Sequence, residues 1–576
     1  MLSLKTFCNI NKESEEMDFL IIKNKYNQVA MHHSFVTSFK EVEREGVYIK
    51  KLGHLDYIIS EEPHKTLLEF GDVFDVRSSG TGRKKGTYYT ITIKNDFIIV
   101  EADPFGYFPV FYAEIKDLLV VSSSFETILS YMESKNEDPV FYQQMAFFFT
   151  PIGKTTAVKG ISRLEYGSIL EIGHEGFKHK KIRLFSDFLT SSPESFKRSI
   201  HDVVDCFIAN TSYYLEENNA IALTGGYDGR SIVACAHHFN KAIHAFSYGK
   251  RGSADVEVPI KIADKLGIDY QFIHLDDEYL KNAYRESVID YIIKTGGLNG
   301  FQYPQSVFHI RVIAQNYSSI VTGYVGSEVI RSPKEPDDEI VSPVIFHFMT
   351  GNLDKAKSWI TDRMWRLKSI QLLESDYHPN DTLSLVYDLQ QSLPAELSAN
   401  QRLFTYMYEN CFMNLFGAWI YNGMHYAKVR IPFLDTDFFD LVSKTKVSAF
   451  YLNFPENNMR KRLQSCSFYA YLFDRAWPEL GRIPISKGYS PHQLITPLGS
   501  LSVALAYVRS RNFKDPNGLD KLGSISGALS YIELLKKNNV FTWDLLDSIS
   551  ETVHGDSYSR SHGFMALSRL ETKRRF

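Results

Sequence analysis

Residues 221–232 carry the pattern with the clearest chemical meaning: an apolar strand, two glycines, an aspartate and the start of a helix. Gly225 and Gly226 have no Cβ, so the backbone N–H groups around them can turn towards an anion, and a helix N-terminus adds positive potential. Asp228 is suited to bind Mg²⁺ between phosphate oxygens. The segment therefore predicts a pyrophosphate cradle, with an ordinary strand-to-helix turn as the alternative.

Alternating strand and helix patterns surround this loop. Strands are predicted at 220–223, 243–248, 270–275 and 318–322, and helices at 231–239 and 256–266. In an open parallel sheet, ligands bind at the carboxyl ends of the strands. The second part of the chain is therefore expected to be a parallel α/β domain, followed by mostly helical residues from about 330 to 480.

The first part of the chain has a different pattern, in which short β-branched and aromatic segments are separated by turn signals. Such segments lie at 18–23, 88–94, 96–101, 110–113 and 118–123. They predict a sheet-rich domain over residues 1–190, with the α/β domain over residues 191–576.

Composition excludes several classes of function. The 576 residues carry a net charge of −4 and no dense basic stripe, so no nucleic acid is expected as a partner. No apolar run is long enough to span a bilayer and no signal peptide is evident, so a cytoplasmic protein without a membrane partner is expected. Five scattered cysteines form neither a disulfide framework nor a zinc motif.

The loop resembles the S-G-G-x-D-S loop of the PP-loop ATP pyrophosphatases, and further segments resemble the asparagine synthetase superfamily. These segments are 103–112, 122–129 and 160–167 in the first half, and 246–249 and 429–435 in the second. The strongest match is 429–435, which is close to V-R-x-P-F-L-D. The resemblance implies an α/β protein with an N-terminal Ntn-hydrolase-like, glutaminase-type β-rich sandwich and a C-terminal PP-loop domain of the adenine nucleotide α-hydrolase type.

The same resemblance implies ATP and Mg²⁺ as cofactors and assigns residues to them. The nucleotide-binding positions are Ala222, Leu223, Thr224, Gly225, Gly226, Asp228, Tyr248, Thr322 and Gly323. Asp228 and Glu328 are the candidate metal ligands. Lys487 is expected to neutralise charge that develops on the phosphates. Gly229 replaces a serine of the family loop, and the charge of Arg230 is expected to compensate.

The sequence differs from the asparagine synthetase pattern at two positions in the loop after the predicted strand at 318–322. Tyr324 stands where asparagine synthetases carry a glutamate, and a tyrosine at this position in β-lactam synthetases belongs to the apparatus that deprotonates the attacking amine. Packing is the alternative role. Ser327 occupies the usual place of the second metal-binding aspartate, which leaves Glu328 as the substitute or metal binding weakened. Glu409 is a candidate partner for Tyr324.

A third departure concerns the first domain. Glutamine-using members begin Met-Cys, whereas this sequence begins Met1-Leu2, and Cys8 is expected to be unreactive. Glutamine hydrolysis is therefore expected to be lost, with the first domain kept as a scaffold, as in the β-lactam synthetases and lasso-peptide macrocyclases that the architecture also resembles.

The resulting hypothesis is an ATP- and Mg²⁺-dependent ligase that adenylates a carboxylate, releases pyrophosphate and transfers the acyl group to an amine. A glutamine-hydrolysing asparagine synthetase and a catalytically silent nucleotide-binding scaffold are the alternatives. The expected partners are the carboxylate and amine substrates, as small molecules or peptides. A homodimer or a partner from the same biosynthetic cluster is left open.

Overall fold

The computed structural model describes residues 18–24, 42–44, 47–52, 57–62, 65–75, 84–94, 97–173, 175–331, 335–510, 517 and 519–576. The sequence-based expectations for Leu2 and Cys8 lie outside these residues. Within them, no helix is long and apolar enough to cross a membrane.

Twelve strands of the described first part form two antiparallel sheets of six strands each. The strands are β1 (Asp18–Asn24), β2 (Val42–Arg44), β3 (Val47–Leu52), β4 (Tyr57–Glu62), β5 (Lys65–Asp75), β6 (Lys84–Lys94), β7 (Ile98–Ala102), β8 (Phe111–Ile115), β9 (Leu118–Ser122), β10 (Ile161–Arg163), β11 (Ser168–Gly173) and β12 (Gly176–Lys181). Their orders are β10-β8-β9-β1-β3-β2 and β12-β11-β7-β6-β5-β4. The expected sheet-rich region is therefore present, although only five of its strands were predicted.

Five further strands form one parallel sheet of order β15-β14-β13-β16-β17. They are β13 (Asn219–Ala222), β14 (His244–Gly249), β15 (Asp269–His274), β16 (Ser319–Val321) and β17 (Lys428–Arg430). The parallel α/β prediction is confirmed. The edge strand β17 was missed because three residues are too few to show a strand period.

The helices enclose these sheets. They are α1 (Phe125–Tyr131), α2 (Pro139–Phe148), α3 (Phe196–Thr211), α4 (Asp228–His238), α5 (Ala254–Leu266), α6 (Asp277–Asn282), α7 (Tyr284–Thr295), α8 (Pro304–Ile313), α9 (Gly326–Ile330), α10 (Pro343–Met349), α11 (Leu353–Ser369), α12 (Pro379–Ser392), α13 (Ala399–Tyr406), α14 (Phe412–Met424), α15 (Thr436–Val442), α16 (Met459–Ala476), α17 (Pro478–Gly481), α18 (Gly499–Ser510), α19 (Ser524–Lys537), α20 (Trp543–Val553) and α21 (Ser557–Arg575). Short 3₁₀ turns span Phe185–Phe188, Ser212–Tyr214, Pro432–Leu434, Ala449–Tyr451 and Pro491–Ile495, and one π-helical turn spans Met407–Cys411.

One continuous apolar core joins the antiparallel and parallel parts. Ile91 in β6, Leu170 in β11 and Ile221 in β13 are fully buried members of the same cluster. The sheets are antiparallel up to β12 and parallel from β13 onwards, but the apolar core is continuous across this point. The division near residue 190 therefore remains a proposal about folding units.

The hairpin before β8 contains a buried carboxyl group. Asp103 is 7% exposed, and its Oδ1 accepts the N–H of Phe105 at 3.0 Å. Burial raises the pKa of Asp103 to about 6, although backbone hydrogen bonds oppose the shift. Ionisation at neutral pH therefore costs stability in the folded state.

We expect Asp103→Asn to become more stable relative to the wild type as pH rises from 3.8 to about 6. Above that range the folded wild type carries an ionised buried carboxylate, whereas below it the group is protonated in both the folded and unfolded states. At about 1.4 kcal/mol per pKa unit, the gain approaches about 3 kcal/mol. Urea unfolding at several pH values measures it, with the exposed Asp117→Asn as control. A stability difference that is independent of pH would contradict the assignment.

Candidate active site

The loop between β13 and α4 is held against the start of α5. The N–H of Gly225 donates to the Asp255 carboxylate at 3.2 Å, and the N–H of Ser486 donates to the Gly225 carbonyl at 3.0 Å. A Cβ on Gly225 would lie 2.7 Å from the Ala254 carbonyl oxygen. Two helix N-termini, those of α4 and α5, therefore begin beside one loop at the carboxyl end of the sheet, which is an arrangement suited to an anion.

Gly229 allows α4 to pack closely on the strand that precedes it. A Cβ on Gly229 would lie 2.1 Å from the carbonyl oxygen of Ala222, so the serine of the family loop does not fit this backbone. The predicted helix start at 231 was three residues late, because α4 already includes Asp228, Gly229 and Arg230. The missing serine is thus explained by packing within the loop.

The loop after β16 closes over the start of α4. A Cβ on Gly323 would lie 2.6 Å from the backbone of Asp228, and one on Gly326 would lie 2.9 Å from an Asp228 carboxylate oxygen. The N–H of Thr322 donates to the Arg430 carbonyl at 2.9 Å. The structure thus brings the predicted residues Thr322 and Gly323 to the Gly225–Asp228 loop.

The Asp228 carboxylate is surrounded by three side chains. Tyr469 donates to Oδ1 at 2.5 Å, Ser327 donates to Oδ2 at 2.8 Å, and the Arg331 guanidinium lies 3.6 Å from Oδ2. Arg331 also donates to the Ser327 hydroxyl. Ser327, which stands where the family has its second metal-binding aspartate, therefore holds the Asp228 carboxylate by a hydrogen bond.

Sequence reasoning missed both Arg331 and Tyr469. Arg331 follows Ser327 by four residues, so helical spacing alone places the two side chains on one face and was a usable signal. Tyr469 lies 241 residues from Asp228, and no local pattern indicates that contact. Burial lowers the pKa of Arg331, but the Asp228 charge outweighs that effect and the net shift is upwards.

Glu328 lies close enough to Asp228 for their charges to interact. Burial, reinforced by Asp228, raises the pKa of Glu328 to about 7. Among the described residues no group of three or more His, Cys, Asp or Glu side chains could hold a metal ion. Two neighbouring carboxylates nevertheless fit Mg²⁺, which commonly binds one or two carboxylates together with substrate phosphates. A divalent cation would also relieve the repulsion that raises the Glu328 pKa.

Lys487 reaches the same region from the turn after α17. Burial raises the pKa of the Cys466 thiol, and the nearby Arg331 and Lys487 charges oppose that shift, whereas Asp228 adds to it. Lys487, Arg331 and Asp228 are therefore each within electrostatic range of Cys466, and the residue before Lys487, Ser486, donates its N–H to the Gly225 carbonyl of the loop. Lys487 is partly exposed, as a residue that contacts a bound phosphate would be.

Arg230 does not compensate for the missing serine, and the expectation was wrong. Its side chain is fully buried and donates to the carbonyl oxygens of Ile483 and Pro484 at 2.7 and 3.3 Å. Burial lowers its pKa to about 10. Arg230 thus holds the segment that carries Lys487, and its charge is not available to a phosphate in solution.

Tyr324 lies at the inner end of the site. Its ring contacts Trp419 and Phe416, with centroid separations of 5.3 and 6.0 Å. Burial raises its pKa well above 10, and the nearby Tyr248 adds to the shift. Tyr324 therefore keeps its proton at neutral pH. The Tyr248 ring stacks on His309 at 4.1 Å.

A cleft of about 340 Å³ opens beside these residues. Tyr248, Gly249 and Asp255 line one side of it, at the carboxyl end of β14. The other lining residues include Gln302, Tyr303, Gln305, Asp338 and Glu339, with Leu519–Ile525 and the start of α21. The cleft therefore extends from the loop region to a wall that sequence reasoning did not anticipate.

Comparison with known proteins agrees with this geometry. Residues 217–464 match the asparagine synthase family. The resemblance to the asparagine synthetase superfamily is confirmed. The matched residues, which we call the asparagine synthase-like domain, contain the Gly225–Asp228 loop, Tyr324, Glu328 and the V-R-x-P-F-L-D segment.

One curated protein to which this chain is similar is "Asparagine synthetase [glutamine-hydrolyzing] 1" of Bacillus subtilis (strain 168), which is 27% identical over 187 residues. The match covers 31% of this chain and 29% of that relative's length. Similar solved structures are a B. subtilis glutamine phosphoribosylpyrophosphate amidotransferase complexed with ADP and GMP (12% identity) and an allosteric regulatory enzyme of purine biosynthesis (11%). Each match covers 45% of this chain and 60% of the other, but the TM-score of 0.19 is too low to inform fold or function.

Glu409 is not brought to Tyr324. It lies in the π-helical turn before α14, where its carboxylate accepts the N–H of Phe185 at 2.7 Å and the Lys181 ammonium at 3.0 Å. Burial raises its pKa, although Lys181 and the Phe185 N–H oppose the shift. Glu409 thus holds the connection after β12, and the predicted partnership with Tyr324 was wrong.

The V-R-x-P-F-L-D segment joins the asparagine synthase-like domain to the antiparallel sheets through two buried ion pairs. Arg430 binds Asp72 of β5 through two contacts of 2.6 and 2.9 Å, with both side chains 5% exposed. Asp435 binds Lys85 of β6, and neither side chain is exposed. The strongest sequence match in the chain therefore lies at a contact between its two parts.

Proposed function

We propose that this protein is an ATP-dependent carbon–nitrogen ligase of the asparagine synthetase-like type. The observation that carries the proposal is the convergence of Asp228, Arg331 and Lys487 on a glycine loop at the carboxyl end of the parallel sheet. The cleft begins beside this loop, because Asp255, which accepts the Gly225 N–H, is one of its lining residues. Its volume of about 340 Å³ is in the usual range for a ligand site. A guanidinium beside the loop carboxylate is suited to a bound phosphate.

The proposed reaction has two steps. An oxygen of the substrate carboxylate attacks the α-phosphorus of ATP, the bond to the β-phosphate oxygen breaks, and pyrophosphate leaves. The nitrogen of an amine then attacks the acyl carbon of the adenylate, loses a proton, and AMP departs with the electrons of the acyl–oxygen bond. The products are an amide, AMP and pyrophosphate.

Residues of the loop and its surroundings would divide the work. Thr224, Gly225 and Gly226 would contact pyrophosphate, while Ala222, Leu223, Tyr248, Thr322 and Gly323 would border the nucleotide. Asp228 and Glu328 would hold Mg²⁺, which neutralises phosphate charge when bound. Lys487 and Arg331 would stabilise the negative charge that builds on the departing pyrophosphate.

We further propose that the first part, residues 1–190, is an Ntn-hydrolase-like scaffold without glutaminase activity. A nucleophilic cysteine needs an accessible thiolate. The cysteines in the described residues are Cys206, Cys235, Cys411 and Cys466, all in the second part, and burial raises the pKa of each thiol. None of these four thiols, within the part of the chain that the structure describes, is suited to act as the nucleophile of a glutaminase.

Exchange of labelled pyrophosphate into ATP tests the adenylation step. We expect exchange to depend on one class of carboxylate in a panel that covers amino acids, hydroxy acids and short peptides. Exchange absent from every class while ATP is hydrolysed to ADP would exclude an acyl-adenylate.

Tyr324→Phe is expected to slow amide formation by at least about 100-fold and to leave pyrophosphate exchange nearly unchanged. A protonated phenol beside the acyl carbon can orient the amine and relay its proton, but it has no part in the attack on phosphorus. Parallel assays of exchange and of AMP release measure the two half-reactions. Tyr426→Phe, also in the asparagine synthase-like domain but hydrogen-bonded to Asp290, is the matched control. Equal losses in both assays would make Tyr324 part of the nucleotide pocket.

A further inference from the structure

Part of the cleft wall is acidic. Asp338 and Glu339 line the cleft, as do Gln305, Tyr248 and Gly249. Its charged lining residues are four carboxylates (Asp255, Asp338, Glu339 and Asp520) and two cationic side chains (Lys521 and Arg560), and Asp520 is paired with Lys250 at 3.0 Å. The remaining carboxylates outnumber the cations of the lining, so its charge favours a cationic ligand, and the phosphates of a nucleotide would strengthen that preference.

Glu339 presents its carboxylate to the cleft. One carboxylate oxygen of Glu339 accepts the Tyr303 hydroxyl at 3.3 Å. Much of the residue is exposed to solvent, but the protein packed around its carboxylate desolvates that group enough to raise its pKa to about 7, and the Asp338 and Asp337 charges add to the shift. A cation bound in front of Glu339 would offset both effects.

Asp338 is anchored more firmly. It accepts hydrogen bonds from Ser561 at the start of α21 and from Gln302 at 3.4 Å. Burial raises the pKa of Asp338, and these hydrogen bonds oppose the shift while they fix the carboxylate at the cleft surface. Asp338 and Glu339 thus form a positioned pair and differ from mobile surface carboxylates.

Gln305 provides an independent indication of a ligand. It is 4% exposed, its amide nitrogen donates to the Gln302 carbonyl at 3.4 Å, and its side-chain oxygen has no hydrogen-bond partner within the described part of the chain. A buried acceptor without a hydrogen-bond donor destabilises the folded protein. Because Gln305 also lines the cleft, an N–H donor of a bound molecule would satisfy it.

We infer that Asp338, Glu339 and Gln305 bind the protonated nitrogen of an organic amine substrate. The inference rests on the proposed ligase function and specifies its acceptor: an alkylammonium compound larger than ammonia. Two carboxylates supply the charge, and the Gln305 oxygen supplies a directed acceptor. Ammonia would not need these three residues, because it has no carbon chain to position.

The test uses the full chain, saturating AMP and three five-carbon probes: 1,5-diaminopentane, 1,5-pentanediol and glutarate. Of these three probes, only the diamine should show binding by calorimetry. Glu339→Gln and Asp338→Asn should each weaken it at least about 10-fold, the loss of one charge-assisted contact. Gln305→Leu, which removes the buried acceptor without leaving a cavity, should weaken it several-fold. Glu551→Gln, at an exposed position on α20, is the matched control and should bind as the wild type does.

Absent diamine binding by the wild type, equal binding of the diol, or unchanged affinity in both carboxylate variants would overturn the inference. Weakened AMP binding in Gln305→Leu with unchanged diamine affinity would assign the acceptor to the nucleotide base and would also overturn it. Because the probe is measured without turnover, these outcomes are separate from the ligase proposal, which fails only if ATP turnover yields ADP.

Discussion

Replacement of Asp228 by alanine is expected to lower ATP turnover by at least about 100-fold, the scale of losing one preorganised electrostatic contact in an active site. Asp228 is the carboxylate on which Tyr469, Ser327 and Arg331 converge. Without it, the loop keeps its glycines but loses its proposed metal ligand, and Arg331 loses its partner. Steady-state AMP production measures the loss.

Two further variants test whether the loss is specific to the charge of Asp228. Asp228→Asn keeps the shape of the side chain and should fold as the wild type does while remaining nearly inactive. Asp264→Ala removes an exposed carboxylate from the neighbouring helix α5 and should be fully active. Turnover retained in Asp228→Asn would show that the charge of Asp228 is not needed.

Replacement of Arg430 by methionine is expected to lower the free energy of unfolding by about 3–5 kcal/mol. The arginine pairs with Asp72 through two short contacts and with Glu216 at 2.7 Å. Its loss leaves the Asp72 charge buried between the two parts of the molecule. Chemical denaturation, followed by far-ultraviolet circular dichroism, measures the change.

A double mutant measures the cost of leaving one charge of the Arg430–Asp72 pair buried without its partner. Arg430→Met with Asp72→Asn removes both charges, so it should recover part of the stability lost in the single mutant. Arg482→Met, at an exposed position, should change stability by less than about 0.5 kcal/mol. A single mutant as stable as the wild type would mean that the two parts are held by apolar packing alone.

The sequence predicted the parts of the site that depend on local pattern. The Gly225–Asp228 loop, the strands around it and the Thr322–Gly323 turn lie together as expected, because each follows a strand of one parallel sheet. Contacts between distant segments were not predictable in this way. Tyr469 reaches Asp228 from α16, and Arg230 turns towards Ile483 instead of the loop.

The errors have physical causes. Glu409 was paired with Tyr324 by its position along the chain, but a π-helical turn directs its carboxylate to Lys181 and Phe185. The acidic wall was missed because Gln305, Asp338 and Glu339 come from separate segments and match no motif. Only the fold of α8 and of the segment before α10 brings them to one cleft.

Identification of the nucleotide product tests the central claim most directly. The full chain is incubated with ATP labelled at the α-phosphate, Mg²⁺ and pooled carboxylates and amines, and the labelled products are separated. We expect labelled AMP from the wild type and none from Asp228→Ala. Labelled ADP from the wild type, lost in the same variant, would contradict cleavage at the α-phosphorus and with it the proposed ligase mechanism.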